Sequence, residues 1–79
     1  MASINFDSME KIDKQRYSIH DEIDASYSIF TKNGKKYFQI DTYGSSKRIF
    51  SNKVSQSIQL DQNSVKSLIA LLKKEFEIN

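Results

Sequence analysis

The residue best suited to acid–base chemistry is His20, the single histidine of the chain. His20 is followed by Asp21 and Glu22, so a base stands next to two acids in the sequence. A Ser-His-Asp site is recognised by its geometry, and no nucleophile elbow or oxyanion motif accompanies the many serines. We therefore interpret His20 as a surface or half-buried residue and predict that the protein is not an enzyme.

Metal and cofactor sites have equally little support in the sequence. The chain has no cysteine, which excludes thiolate-bound zinc and disulfide bonds. Asp21, Glu22 and Asp24 lack the spacing of a calcium-binding loop, and are better interpreted as a solvated acidic turn. Because the chain has only two glycines, it has no glycine-rich loop that could cradle a phosphate. The sequence thus predicts no metal and no cofactor.

The charged residues are unevenly distributed, although the formal net charge is only +2. Residues 1–31 hold three basic and six acidic residues, whereas residues 32–60 hold six basic residues and one acidic residue. The last nineteen residues hold three of each kind. A basic middle segment indicates either an anionic partner or docking of the acidic N-terminal arm.

The clearest structural signal is the dipeptide Asn33-Gly34 between two segments rich in aromatic and β-branched residues. Asn-Gly favours the two positive φ angles of a type I′ turn, which predicts a tight β-hairpin. A two-residue turn also fixes the register. The predicted pairs are Lys32 with Lys35, Phe30 with Tyr37, Ile29 with Phe38, Ser28 with Gln39 and Tyr27 with Ile40.

This register separates the hairpin into an apolar face and a polar face. The apolar face carries Tyr27, Ile29, Phe38 and Ile40, and suits a hydrophobic core. The polar face carries Ser28, Phe30, Lys32, Lys35, Tyr37, Gln39, Asp41 and Tyr43. Aromatic rings among lysines suit single-stranded nucleic acid, because bases stack on rings while cations follow phosphates. Two alternatives remain open. In the first, Phe30 and Tyr37 form a cross-strand pair that stabilises the hairpin, and the lysines protect its edge from aggregation. In the second, this face binds a protein.

Further elements are predicted after the hairpin. Lys47–Phe50 suits a short third strand, and Val54–Leu60 alternates like a fourth strand. Asp61 is predicted to be the N-cap of a helix from Gln62 to about Glu77. The apolar stripe of this helix comprises Val65, Leu68, Ile69, Leu72 and Phe76. Leu71 and Ile78 lie off the stripe, so we predict that they contribute to a homodimer interface.

The first 25 residues are predicted to be an acidic arm or to contain a first strand. Tyr17, Ile19, Asp21 and Ile23 alternate in a way that favours a strand leading into the hairpin. The longest apolar run, Leu68–Leu72, is far too short to cross a bilayer, and no secretory signal is visible. We therefore expect an intracellular, cytoplasmic protein with no membrane association.

Residues 35–76 resemble the single-strand-binding domain of the transcriptional positive cofactor four family. Residues 36–43, KYFQIDTY, are similar to the charged second strand of that family, and residues 54–61, VSQSIQLD, are similar to the run that precedes its helix. The resemblance implies a dimer that binds single-stranded DNA with little sequence preference. It also implies that the DNA is bound by Lys32, Lys35, Lys36, Tyr37, Tyr43, Lys47, Arg48 and Lys53. The polar face of the hairpin adds Phe30 to this set of predicted binding residues.

The chain departs from this family in two places. Asp41 stands where the family tends to have arginine, which reverses the charge on the polar face. Ser55, Gln56 and Ser57 replace the usual basic residue and glycine before the helix run. Both departures weaken the expectation of DNA binding more than the expectation of the fold.

Together these patterns predict one α+β domain over residues 1–79. It consists of the arm (1–25), an antiparallel sheet of about four strands (26–60) and an amphipathic C-terminal helix (61–78) packed on one face of the sheet. The function predicted first is binding of single-stranded DNA or RNA by a non-enzymatic homodimer that assists transcription or DNA maintenance. The alternative is a small protein-interaction module that regulates or inhibits a larger enzyme, for example one encoded by a mobile element.

Overall fold

The β-hairpin is the centre of the fold. In the computed structural model, which describes residues 1–44 and 53–79, strand β2 (Ala25–Lys32) pairs antiparallel with strand β3 (Lys35–Thr42). Asn33 and Gly34 have φ angles of 53° and 78°, as a type I′ turn requires. All five predicted residue pairs are present, so the predicted register is confirmed.

Strand β4 (Gln56–Asp61) joins the other side of β3, and helix α1 (Gln62–Phe76) follows without a loop. The carboxylate of Asp61 accepts a hydrogen bond from the backbone N–H of Ser64 at 2.8 Å, which confirms Asp61 as the N-cap. The helix ends where Glu77 adopts a left-handed conformation and its N–H donates to the carbonyl of Lys73. The helix packs against β3 and β4.

The N-terminal arm differs from its prediction. A two-residue strand, β1 (Ala2–Ser3), pairs parallel with β4 at the edge of the sheet, and a 3₁₀ turn follows at Phe6–Ser8. The predicted strand around Tyr17–Ile23 is wrong, because residues 9–24 contain no strand and Ile19 is 96% exposed. Alternating residues form a strand only where a neighbouring strand accepts their backbone hydrogen bonds. The predicted strand Lys47–Phe50 lies outside the described residues.

The sheet order is β1-β4-β3-β2, with antiparallel pairing throughout except between β1 and β4. The prediction of an α+β fold with a sheet of about four strands and a C-terminal helix is therefore confirmed, and the sheet is antiparallel as predicted except for the β1–β4 pair. Among the residues that the structure describes, no helix is both long enough and apolar enough to span a membrane.

The hydrophobic core is small for a chain of this length. Within residues 1–44 and 53–79, Leu60 is the one buried apolar side chain, at 4% exposure. Val65 and Leu68 of the helix stripe are half-buried, whereas Ile69, Leu72 and Phe76 of the same stripe are exposed. The radius of gyration is 15.0 Å, compared with about 12 Å for a compact domain of this size. Only the first half of the predicted stripe therefore packs within the chain.

Candidate interaction surfaces

The apolar face of the sheet is built from two rows of side chains that cross three strands. One row consists of Tyr27, Ile40 and Ile58, and the next consists of Ile29, Phe38 and Leu60. Alternation along each strand places all six on the same side of the sheet. The rings of Tyr27 and Phe38 lie 5.8 Å apart across the two rows, so the face is continuous from β2 towards β4.

Three of the six side chains on this apolar face are exposed. Tyr27 is 70% exposed and Ile29 is 56% exposed, although both stand beside half-buried partners on β3. Ile58 on β4 is also exposed, while Leu60, one step nearer the helix, is buried. The helix therefore covers the end of the apolar face at Leu60, and Tyr27, Ile29 and Ile58 stay exposed.

The arm and the helix form a second apolar surface. Phe6 and Met9 of the arm line an open groove with Leu71, Leu72 and Phe76 of the helix. An ion pair between the Nζ of Lys11 and the Oε1 of Glu75, at 3.4 Å, connects the two sides. Leu71 and Ile78, the predicted dimer-interface residues, are both exposed, Leu71 in this groove and Ile78 beyond the helix end.

On the polar face, the predicted aromatic residues lie together beside two lysines. The rings of Phe30 and Tyr37 stack with a centroid separation of 5.3 Å and an interplanar angle of 23°. Lys32 and Lys35 form the next pair towards the turn, and both are exposed. Both rings are half-buried, and each ring covers part of the other ring's face.

The other predicted nucleic-acid-binding residues are dispersed. Lys36 alternates with Lys35 and Tyr37 along β3, so it lies on the opposite side of the sheet. Tyr43 is half-buried, and its hydroxyl forms a hydrogen bond with the hydroxyl of Ser26 at 2.7 Å. Lys53 is exposed. Lys47 and Arg48 lie outside the described residues.

A hydrogen-bonded ladder of polar side chains crosses the polar face between β4 and β3. The Nε2 of Gln59 donates to the Oε1 of Gln39 at 2.7 Å, and the Nε2 of Gln39 donates to the Oδ1 of Asp41 at 2.8 Å. The hydroxyl of Ser57 donates to the same oxygen of Asp41. We call these residues, Gln39, Asp41, Ser57 and Gln59, the polar ladder.

The polar ladder explains two features that stood out in the sequence. Asp41 stands where a basic residue was expected because it is the acceptor for Gln39 and Ser57. Ser57 belongs to the same network, so its hydroxyl has a partner within the sheet. Sequence reasoning missed the ladder because the register between β3 and β4 depends on a connection that no local turn signal fixes.

Asp61 adds a second carboxylate beside the lysines of the polar face. It pairs with Tyr37 across β3 and β4, and its pKa is lowered mainly by the hydrogen bond from the backbone N–H of Ser64. The side chain of Ser64 and the charge of Lys35 lower this pKa further. The polar face therefore carries Lys32 and Lys35 together with the carboxylates of Asp41 and Asp61.

The acidic arm contacts the helix and the end of the hairpin far from the turn. Besides the ion pair between Lys11 and Glu75, the carbonyl of Asp24 accepts a hydrogen bond from the N–H of Tyr43 at 3.2 Å. His20 and its acidic neighbours are exposed. In the described part of the chain, no group of three or more His, Asp or Glu side chains is placed to hold a metal ion.

Comparisons with known proteins give no match: no family model, no curated protein and no solved structure is significantly similar to this chain.

Proposed function

We propose that the protein is a non-enzymatic interaction module that docks on another protein through the apolar face of its sheet. The observation that carries the proposal is the exposure of Tyr27, Ile29 and Ile58 beside a single buried apolar residue, Leu60, among the described residues. Covering the exposed part of these side chains stabilises a complex by roughly 25 cal/mol per Å² of apolar surface removed from water. A contiguous exposed apolar face of this kind is typical of a binding surface.

The total accessible surface supports the same proposal. It measures 7408 Å² for a chain of 9.2 kDa, whereas a compact monomer of that mass exposes about 4,900 Å². The excess of about 2,500 Å² is larger than the roughly 800 Å² that each partner buries in a standard protein interface. Large apolar side chains of the arm, the apolar face and the helix are all among the exposed residues.

The charges around the apolar face indicate the chemistry of the partner. No acidic side chain of β2, β3 or β4 lies on this face, and Lys36 stands at its end near the turn. At the end of the helix, Glu75 and Glu77 balance the charges of Lys73 and Lys74. The partner that fits is a protein segment with an apolar strip and an acidic residue opposite Lys36.

The proposal is tested with a tagged full-length chain and a variant that changes the face without touching β2. We expect the wild-type chain to retain one partner in equal stoichiometry from nuclease-treated lysate, and Ile58→Ser to retain much less of it. Ile19→Ser makes the same substitution in the arm, where the side chain is 96% exposed, and serves as the control. Calorimetry with the purified partner should give a negative heat-capacity change, the marker of apolar burial.

Two results contradict this proposal. One is equal retention of the partner by the wild type and by the Ile58→Ser variant, provided that circular dichroism shows both to be folded. The other is retention that disappears when the lysate is treated with nuclease, because a nucleic acid then forms the bridge.

Binding of single-stranded nucleic acid is a second candidate, favoured by the stacked Phe30 and Tyr37 beside Lys32 and Lys35 on the polar face. The engagement of Asp41 in the polar ladder also supports it, because that carboxylate is directed towards Ser57 and Gln39. It ranks second because each ring already stacks on the other and Asp61 lies beside Lys35.

Fluorescence anisotropy with labelled oligo-dT tests this second candidate. We expect affinity that falls with salt, a weaker complex for Tyr37→Ala and a flatter salt dependence for Lys35→Ala. Asp41→Asn removes a negative charge and keeps an acceptor, so it should strengthen binding. Affinity that is undetectable at low salt, or that does not change with salt, contradicts nucleic-acid binding.

A further inference from the structure

We propose that a second copy of the chain pairs with β2 in antiparallel orientation, with Ser28 of the two copies facing each other on a two-fold axis. The pairing would join two four-stranded sheets into one continuous sheet. It uses the backbone groups at the edge of the sheet, whereas the docking function proposed above uses side chains of the apolar face.

The first argument is the direction of the backbone groups of β2. Lys32 and Lys35 flank a two-residue turn, so they form a hydrogen-bonded pair, and such pairs recur at every second residue. The bond from the N–H of Tyr43 to the carbonyl of Asp24 fits this alternation. The N–H and C=O groups of the intervening residues point away from β3. These residues are Ala25, Tyr27, Ile29 and Thr31.

The outward groups of β2 have no strand beside them among residues 1–44 and 53–79, because β2 ends the sheet order. Natural sheets blunt such an edge with proline, a bulge or charges along the strand. The segment from Ala25 to Thr31 has no charged residue and no proline, and its register with β3 is uninterrupted. This edge is therefore suited to pair with another strand.

The backbone groups select one register. When Tyr27 lies opposite Ile29 of the second copy, Ala25 lies opposite Thr31 and every outward group of β2 finds a partner. A shift of two residues in one direction would require Asn33, whose φ of 53° belongs to the turn. A shift of two in the other direction would use Ile23, which lies outside the strand. A shift of one residue would turn the apolar face of one copy towards the polar face of the other.

Side chains in the selected register complement one another. On the apolar face, Tyr27 meets Ile29 of the second copy, an aromatic and β-branched pair of the kind that stabilises sheets. On the polar face, Asp24 meets Lys32 of the second copy, and symmetry repeats this ion pair at the other end. The exposure of Tyr27 and Ile29 would decrease on the side that faces the second strand.

The absence of cysteine makes a direct test possible. In an antiparallel pair, residues that do not exchange hydrogen bonds have Cα atoms about 4.5 Å apart, within the range of a disulfide bond. Ser28→Cys should therefore give a disulfide-linked dimer under mild oxidation. Ser26→Cys lies on the same strand and face, but its Cα atoms in the two copies would be roughly 14 Å apart. We expect no link from this control.

Cysteines at neighbouring positions report the register. Linking through Tyr27→Cys or Ile29→Cys, without linking through Ser28→Cys, indicates a shifted pairing and overturns the proposal. Failure of Ser28→Cys to link at any protein concentration overturns it as well.

The unmodified chain provides a second measurement that needs no variant. Amide hydrogens of Ala25, Tyr27, Ile29 and Thr31 should exchange slowly in concentrated solution and rapidly on dilution. Asp24→Lys and Lys32→Glu should each weaken the dimer by about fivefold, and together they should restore it. Fast exchange of these amides at all concentrations, or a mass that stays monomeric, overturns the proposal even if the cysteine variants misfold.

Discussion

The side-chain amide of Gln39 donates a hydrogen bond to the carboxylate of Asp41, two residues along the same strand, at 2.8 Å. The two side chains lie on the polar face of β3, where the hydroxyl of Ser57 on β4 donates to the same carboxylate oxygen. One acidic residue of β3 thus holds a side chain of β4. We therefore expect the β3–β4 pairing to require this carboxylate.

Replacing Asp41 tests this requirement. Asp41→Ala leaves Ser57 and Gln39 without their acceptor in a half-buried position, so we expect a loss of about 1–2 kcal/mol in the free energy of unfolding. Asp41→Asn retains one acceptor oxygen and should lose less. Urea titration of both variants measures the difference. Asp21→Ala, in the exposed arm, is the control. If Asp41→Ala is as stable as this control, the polar ladder has no structural role.

The turn of the hairpin gives a second prediction. Gly34 has a φ of 78°, and a Cβ placed there would meet no atom within 4 Å. The effect of Gly34→Ala is therefore conformational, and we expect it to destabilise the protein by about 1 kcal/mol. Asn33→Gly also permits a positive φ and should change stability much less. Thermal unfolding of the two variants shows whether the loss of stability comes from the positive φ at residue 34 or from any substitution in the turn. Equal losses of stability in the two variants contradict the conformational explanation.

The distribution of burial gives a third prediction. Leu60 is 4% exposed, whereas Phe76 on the helix is 68% exposed. Leu60→Ala should lose about 2–5 kcal/mol, a large part of the total stability of so small a domain. Phe76→Ala should change the stability of the isolated chain by less than about 0.5 kcal/mol. If thermal unfolding shows that Phe76→Ala destabilises the isolated chain as much as Leu60→Ala, then the last helical turns are buried in solution.

Local signals in the sequence account for the parts of the fold that were predicted correctly. The Asn33-Gly34 turn determines the register of the hairpin by itself, and Asp61 followed by an apolar stripe determines where the helix begins. These features depend on neighbours in sequence, so residue type and spacing are sufficient to predict them.

The features that were missed depend on contacts between distant segments. Tyr17–Ile23 alternates like a strand, but no described strand lies beside it. Conversely, Ala2–Ser3 becomes a strand because β4 offers a free edge to it. The polar ladder likewise needs the β3–β4 register, and the exposure of the second half of the helix stripe depends on how far the sheet extends beneath it.

The helix cap gives the last prediction, a dependence on pH. The hydrogen bond from Ser64 lowers the pKa of Asp61 in the folded protein below its ordinary value of 3.8. A lowered folded pKa means that the ionised carboxylate stabilises the fold above the ordinary pKa of 3.8, and that this contribution is lost as the pH falls through the lower, folded pKa.

Asp61→Asn isolates this contribution, because asparagine caps a helix without a titrating charge and every other carboxylate is retained. We expect the wild type to melt at a higher temperature than Asp61→Asn near neutral pH, and the difference to shrink as the solution becomes strongly acidic. Thermal unfolding followed by the circular dichroism of the helix measures this difference in melting temperature at each pH. A difference that stays constant with pH contradicts the cap as its source, since an uncharged effect of the substitution would not titrate.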